Sequence, residues 1–417
     1  MQDYARIARK TTLILFAAQS LASAGFIAGS TINAIVGEKL GGGAYWAGVP
    51  SAVYLLGGAL AASAWGFFME IFGRRKGISL GMITGAAGSA LVIISINTGM
   101  LVGFLIGMVM MGVANAAIVL GRFAAAEINP QEKRGAAISS VVLGGTIGSV
   151  VGPLVVGPAG QLAKSYGLNE FSGIYATSSI LFALAAIIVF LGLRPDPRDV
   201  GRELARLYPE ANQSGNARPI LEILRQPLAL TALLAMVLGQ VVMTAVMVIT
   251  SVHMINHQHM LTDISAVISA HTFGMYAFSV ISGRLADKWG RLQVILIGAA
   301  VLMLATITAP LSPDVMPLAV SLFLLGLGWN FCFVAGSTLL ADQLSSSERA
   351  RTQGANDLLV GLASAVASLS SGLVYASLGY GLVAAFGTLL AFIPMVMAGI
   401  SLWKRSHQPV LQPQDPE

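Results

Sequence analysis

Four of the five histidines in this 417-residue chain lie between positions 253 and 271, as His253, His257, His259 and His271. His253 and His257 are one helical turn apart, with Met254 and Met260 close by, a spacing that on a helix can chelate a soft transition metal. Asp263 is the only nearby carboxylate and no Cys is at hand, so the pair also fits a polar loop, and metal binding at His253 and His257 is kept as the alternative to no metal site. His271 is different, because it falls seven residues inside an apolar run, roughly 10 Å below the start of a helix. An ionisable group at that depth fits a protonation or substrate site, or a neutral imidazole bonded to a neighbouring helix. No Asp or Glu occupies the middle of an expected helix, which makes His271 the expected proton carrier. The chain has no nucleotide-binding loop, no nucleophile–base pair and no zinc-protease helix, so neither an enzyme, nor ATP-driven work, nor a cofactor is expected.

A polar pattern recurs half a chain apart. Gly66, Glu70, Gly73 and Arg74 (followed by Arg75 and Lys76) return as Gly283, Asp287, Gly290 and Arg291 at an offset of 217, both reading G-x-x-x-[acid]-x-x-G-R. Asn115, Gly121, Glu127 and Arg134 return as Asn330, Gly336, Asp342 and Arg349 at an offset of 215, so the chain reads as a duplication. The positive-inside bias accounts for the basic residues in such turns but not for an acid three positions before the Gly at the end of an apolar helix. Glu70 and Asp287 are expected to sit near the positive amino-terminal end of a helix from the other half, or to pair with a nearby Arg, and so to hold one mouth shut.

The duplicated loops resemble those of the major facilitator superfamily, whose second helix in each half is followed by G-x-L-A-D-R-x-G-R-[KR]. The copy Gly283-Arg284-Leu285-Ala286-Asp287-Lys288-Trp289-Gly290-Arg291 is close, and the first copy departs by carrying Glu70 where the family has Asp. The resemblance covers the whole chain. It implies a gate with Glu70 near the start of the eleventh helix and Asp287 near the start of the fifth, and a path lined by helices 1, 4, 7 and 10. On those helices the polar and aromatic candidates are Gln19, Asn33, Asn115, Gln240, Thr244, Trp329 and Asn330. Gly148, Gly152, Pro153 and Gly157 form G-x-x-x-G-P-x-x-x-G, similar to the fifth-helix motif of the drug:proton antiporter branch with the last Gly displaced by one. That branch often carries an Arg four residues before a Gly in helix 4, where this chain has Met108. Arg122 lies near the end of that helix instead, where snorkelling to the headgroups explains it.

The elements that must position these residues follow from composition. Only 10% of the residues are charged and 55% are apolar, too little polar surface for a water-soluble chain of this length, so lipid is the expected solvent. The 47 Gly supply small residues for close helix packing, and the single Cys332 excludes an internal disulfide framework. A net charge of +5 does not mark a nucleic-acid partner, because the basic residues sit in short loops rather than one stripe.

Twelve spans are expected, near 12–37, 45–69, 77–96, 100–124, 136–160, 173–193, 226–252, 264–283, 292–309, 317–341, 354–376 and 380–403. All must be helical, since open strands in lipid leave backbone groups unpaired. With the amino terminus inside, 22 of the 24 basic residues fall on the cytoplasmic side or at adjoining helix ends, all but Lys39 and Lys164. The first span has the outline of a signal peptide around Ala22-Ser23-Ala24, but its apolar run continues to Val36 and it matches the seventh span of the repeat, so it is expected to stay uncleaved.

The expected organisation is a six-helix half at 1–193, a cytoplasmic linker at 194–225 holding eleven charged residues and a surface piece at 220–225, a second half at 226–403, and a cytoplasmic tail at 404–417 that is polar and disordered from His407 on. This describes an all-α, multi-pass protein of a bacterial-type inner membrane with both termini in the cytoplasm. Its expected activity is secondary transport by alternating access of a small organic solute, uncharged, zwitterionic or amphipathic, coupled to protons and carried out by a monomer. The competing readings are a transition-metal carrier using the histidines and a non-transporting sensor or assembly subunit.

Overall fold

The computed structural model of the protein describes residues 2–129, 131–207 and 218–407. Every regular element among the described residues is helical. Span 1 is Gln2–Gly41, span 2 Val49–Phe72, span 3 Arg74–Thr98, span 4 Leu101–Val119 with its extension Gly121–Glu127, span 5 Gln131–Leu154 with Val156–Ser165, and span 6 Glu170–Gly192. Span 7 is Pro227–Asn256, span 8 Leu261–Tyr276 with Ser279–Trp289, span 9 Arg291–Thr308 and span 10 Val315–Asp342. The last rod, Ser346–Ser406, is divided by Gly379 (φ 78°, ψ 177°) into spans 11 and 12. The twelve expected spans are therefore all helical.

The two halves are built alike. Span 1 packs on spans 5 and 6, span 3 on spans 4 and 6, and span 2 on span 4. In the second half, span 7 packs on the rod of spans 11 and 12, span 9 on span 10 and on that same rod, and span 8 on span 10. Spacing of small residues explains the closest of these approaches. Gly144, Gly148 and Gly152 form a bare stripe on span 5, and a Cβ at any of them would drive into the span 1 carbonyls of Phe16, Ser20 or Ala24. Pro153, one residue on, lacks the N–H that would continue the ladder, and the helix breaks at Val155.

Because the rods alternate in direction, the described ends of the chain and the segment between halves share one face, called here the linker side; the opposite face is the far side. The linker holds a helix at Pro197–Leu207 and a short one at Ile220–Leu224, the latter falling on the expected surface piece and burying Ile223. Residues 208–217, and the tail from 408 expected to be disordered, lie outside the described residues.

The hydrogen bonds between halves gather on the far side. Ser368 of span 11 donates to the carbonyl of Gly48 at 2.7 Å, Asn256 of span 7 reaches Glu38 of span 1 at 3.5 Å, and Ser265 of span 8 donates to the Pro153 carbonyl of span 5. Gly372 and Gly157 let the same helix pairs close up, against Gly48 and Thr262 respectively.

Candidate transport pathway and gate

The duplicated loops are two copies of one joint. Span 2 passes into span 3 through Gly73 alone (φ 97°), and span 8 passes into span 9 through Gly290 alone (φ 105°), a conformation that other residues adopt only with strain. The following arginine in each copy then returns to the end of the fourth or tenth span. Arg74 Nε donates to Glu127 at 3.1 Å, and Arg291 Nε donates to Asp342 at 3.0 Å. The two separate sets of repeated residues thus meet as one ion pair per half.

The acids that precede the joints do not reach across in this conformation. Asp287 pairs with Arg291 of its own loop at 3.0 Å and is 69% exposed, and the Glu70 side chain is exposed. Among the described side chains, neither acid bonds to the start of span 5 or span 11, the halves being drawn together at the opposite end. Gly66 and Gly283 agree with this, since a Cβ on either would meet open space. Gly135 on span 5 and Gly354 and Gly361 on span 11 are equally open. Arg134 Nε bonds locally to the Asn129 carbonyl at 3.3 Å, Arg75 lies over the Phe190 ring at 5.3 Å, and the Arg349 side chain is outside the described ones.

The linker braces the first joint. Asp196 accepts from the backbone N–H groups of Arg74 (3.0 Å) and Arg75 (3.1 Å), capping span 3, while Arg198 donates to the carbonyls of Glu70 (3.1 Å) and Ile71 (2.6 Å) that end span 2. Its other end is bolted to span 11, where Glu348 accepts from Arg218 Nε at 2.8 Å, Arg218 Nη2 at 2.9 Å and the Ser345 N–H at 3.0 Å. The Arg218 guanidinium, then the backbone N–H groups of Ser345 and Arg218, hold the Glu348 carboxyl well below the usual carboxylate range.

The expected path residues separate into two groups. On spans 7 and 10, Trp329 Nε1 donates to Gln240 Oε1 at 2.7 Å, and Gln240 Nε2 reaches Thr244 at 3.3 Å. Phe333 stacks on Trp329 with centroids 4.9 Å apart and planes at 19°, and Tyr276 meets the same indole edge-on at 6.2 Å. On span 1, Gln19 bonds to Ser23 at 3.2 Å and is half-buried, as is Asn115 on span 4. These residues offer flat aromatic faces beside amides.

Asn33, Asn330 and His271 behave differently from expectation, each being drawn into its own half. Asn33 is buried and donates to Ser51 of span 2 at 3.0 Å. Asn330 pins the break in span 8: its Nδ2 donates to the Met275 carbonyl at 2.6 Å and to Ser279 at 2.9 Å, and Ser282 donates to its Oδ1. The broken ladder leaves the Met275 carbonyl without its helical donor, and the amide supplies one. His271 is fully buried, with Nδ1 2.9 Å from the Leu322 carbonyl of span 10. Through Nδ1 the ring ties two helices of one half, because Gly326 of span 10 packs against the His271 backbone and brings the Leu322 carbonyl within reach, while its Nε2 is buried without a hydrogen-bond partner.

His253 and His257 lie side by side with ring centroids 4.2 Å apart, while His259 bonds elsewhere. The His253 ring stacks on Tyr380 at 4.3 Å, His257 Nδ1 lies 2.8 Å from the His253 carbonyl, and His259 Nε2 lies 2.8 Å from the Pro313 carbonyl. No group of three or more His, Cys, Asp or Glu side chains suited to a metal occurs among the described residues. Sequence reasoning passed over Phe333, whose role depends on a fold-dependent contact with Trp329. It also passed over Asp357, which faces Arg122 of span 4 at 4.0 Å from span 11. Its signal was visible, as a lone carboxylate three residues inside an expected span.

The Major Facilitator Superfamily profile matches residues 14–261 and 242–417. The chain is 30% identical over 401 residues to the MFS-type transporter YdeG of Bacillus subtilis (strain 168), covering 96% of this chain and 93% of that one. It is 33% identical over 395 residues to YddS of the same organism, covering 93% and 90%. It is also 29% identical over 377 residues to the riboflavin transporter RfnT of Brucella anthropi, covering 90% and 92%. Among solved structures, the nucleoside transporter NupG shares the fold with a TM-score of 0.70 at 16% identity, over 94% of this chain and 99% of that one. With twelve helical spans in two like halves among the described residues and a matching glycine–arginine joint in each, the chain belongs to the major facilitator superfamily of membrane transporters.

Proposed function

We propose that this secondary transporter moves a planar, uncharged or zwitterionic organic solute across a bacterial inner membrane by proton-coupled alternating access, as a monomer. One observation carries the reading. Spans 2 and 11, and spans 5 and 8, are closed against each other at the far side through Gly48, Ser368, Gly157 and Thr262, while the glycines at their other ends (Gly66, Gly354, Gly361, Gly135 and Gly283) face open space. Closing those ends while the far contacts separate is the second state that alternating access requires. The distribution of Lys and Arg supports the linker side as cytoplasmic, so the conformation described here is open inward.

The solute class is supported by the cluster of Gln240, Thr244, Tyr276, Trp329 and Phe333, which combines parallel aromatic planes with a carboxamide and a hydroxyl. A flat heteroaromatic ring with amide-like edges suits such a site, by stacking and by exchanging hydrogen bonds with Gln240. The relative from Brucella anthropi, named for riboflavin, supports the same class. The test is counterflow of labelled riboflavin in proteoliposomes. Saturable exchange, lost on Trp329→Ala, is expected; uptake no greater than in empty liposomes overturns the solute assignment.

A further inference from the structure

Arg122 and Asp357 form the one ion pair that joins the two halves directly among the described residues; the others lie within a half or involve the linker. Asp357 shares a helical face with Gly354 and Gly361, three positions after one and four before the other, which is the open face of span 11. Arg122 approaches from the end of span 4, its guanidinium over the Phe123 ring at 4.9 Å and its Nε buried without a hydrogen-bond partner. The groups acting on Asp357 are Arg122 from span 4 and Asn356 beside it on its own helix.

We propose that Asp357 is the proton-binding site that couples pH to closure of the linker-side mouth, with Arg122 as its partner across the interface. At 4.0 Å the pair sits at the outer limit of contact in the open mouth. Charge-assisted N–H···O bonds form at about 2.7–2.9 Å, so bringing span 11 toward span 4 by roughly 1 Å completes the bond and also supplies the unpartnered Arg122 donor. The ionised pair is therefore stronger in the closed state than in the open one. A proton on Asp357 removes the charge and with it the bias toward closure. The inward-open state binds the proton more readily and the closed state releases it, which is the linkage a proton-driven cycle needs. His271, enclosed and bonded to Leu322, is not placed to do this.

The inference rests on alternating access between these helices and not on the identity of the solute. Its test uses protons alone, on full-length protein in lipid nanodiscs carrying Cys332→Ser, with spin labels at Lys76→Cys and Lys288→Cys beside the two linker-side joints. Lowering the pH from mildly alkaline to mildly acid is expected to raise the long-distance population, the open-to-closed ratio changing by up to about tenfold per pH unit for one proton. Asp357→Asn is expected to favour the long distance at every pH with no titration, whereas Asp357→Glu keeps the titration and guards against a folding artefact. A pH profile unchanged by Asp357→Asn, or distances independent of pH in the parent, overturns the proposal. Failed riboflavin counterflow with an intact pH response removes the solute assignment and leaves this one standing.

Discussion

Opposite effects of two glycine substitutions follow from the asymmetry of the interface. In the conformation described here, read above as inward-open, a Cβ at Gly66 meets nothing within 4 Å, so Gly66→Ile is accommodated, and replacing glycine in a helix interior adds roughly 0.5–1 kcal/mol of stability. In the closed state span 2 must approach span 11 along that face, and the added side chain overpacks it at a cost of about 1–3 kcal/mol. The equilibrium should move toward inward-open by about 5- to 150-fold. Gly48→Ala does the reverse, because its Cβ enters the Ser368 carbonyl, a backbone atom that cannot turn away, and so penalises the inward-open state by a comparable amount. Accessibility of linker-side and far-side cysteine reporters reads the populations, and thermal unfolding checks that Gly66→Ile is folded. Both variants should slow exchange, one trapped open inward and the other outward. Reporter accessibility equal to wild type in both variants would show that these faces do not alternate.

Other expectations are more local. Glu70→Gln and Asp287→Asn should lower transport with little loss of folded protein, since an exposed charge at a helix end contributes only about 0.3–1 kcal/mol; wild-type rates in both would remove them from the gate. Trp329→Phe keeps a ring but strands the Gln240 carbonyl, so the KM for the proposed planar solute should rise by roughly fivefold for the loss of about 1 kcal/mol, while Trp329→Ala should cost more. Because the Glu348 carboxyl is held below its ordinary value of 4.5, its anchor on the linker is fully present above that value and is lost as the pH falls through the depressed folded-state range. Glu348→Gln should reproduce the loss at neutral pH, seen as faster amide hydrogen exchange in the first turn of span 11.

Much of the architecture was legible because each cause was local. Apolar length specified the twelve spans, and the repeat placed Gly73 and Gly290 at joints where a positive φ excludes other residues. The partners of Arg74 and Arg291 could be read as two repeats but not as one ion pair, since Glu127 and Asp342 come from a different helix. Helix rotation set the limit. A polar residue on an apolar span can face a path or a neighbour, and periodicity does not choose when lipid, core and cavity surround the same rod. Asn330 and His271 turned inward because a broken helix at Met275 and a close-packed Gly326 offered carbonyls to bond. Asp357 and Arg122 lie far apart in sequence and became visible as a pair only when the halves were folded together.

The central claim, that the linker side opens while the far side is shut and the reverse, is tested most directly by measuring both mouths in one preparation. Spin-label pairs at Lys76→Cys with Lys288→Cys and at Lys39→Cys with Met260→Cys, all at exposed positions, report the linker-side and far-side separations. Two populations are expected at each pair, the long distance on one side rising as the long distance on the other falls when pH is varied. Distances that lengthen together, or a single unchanging population at both pairs, would contradict the account.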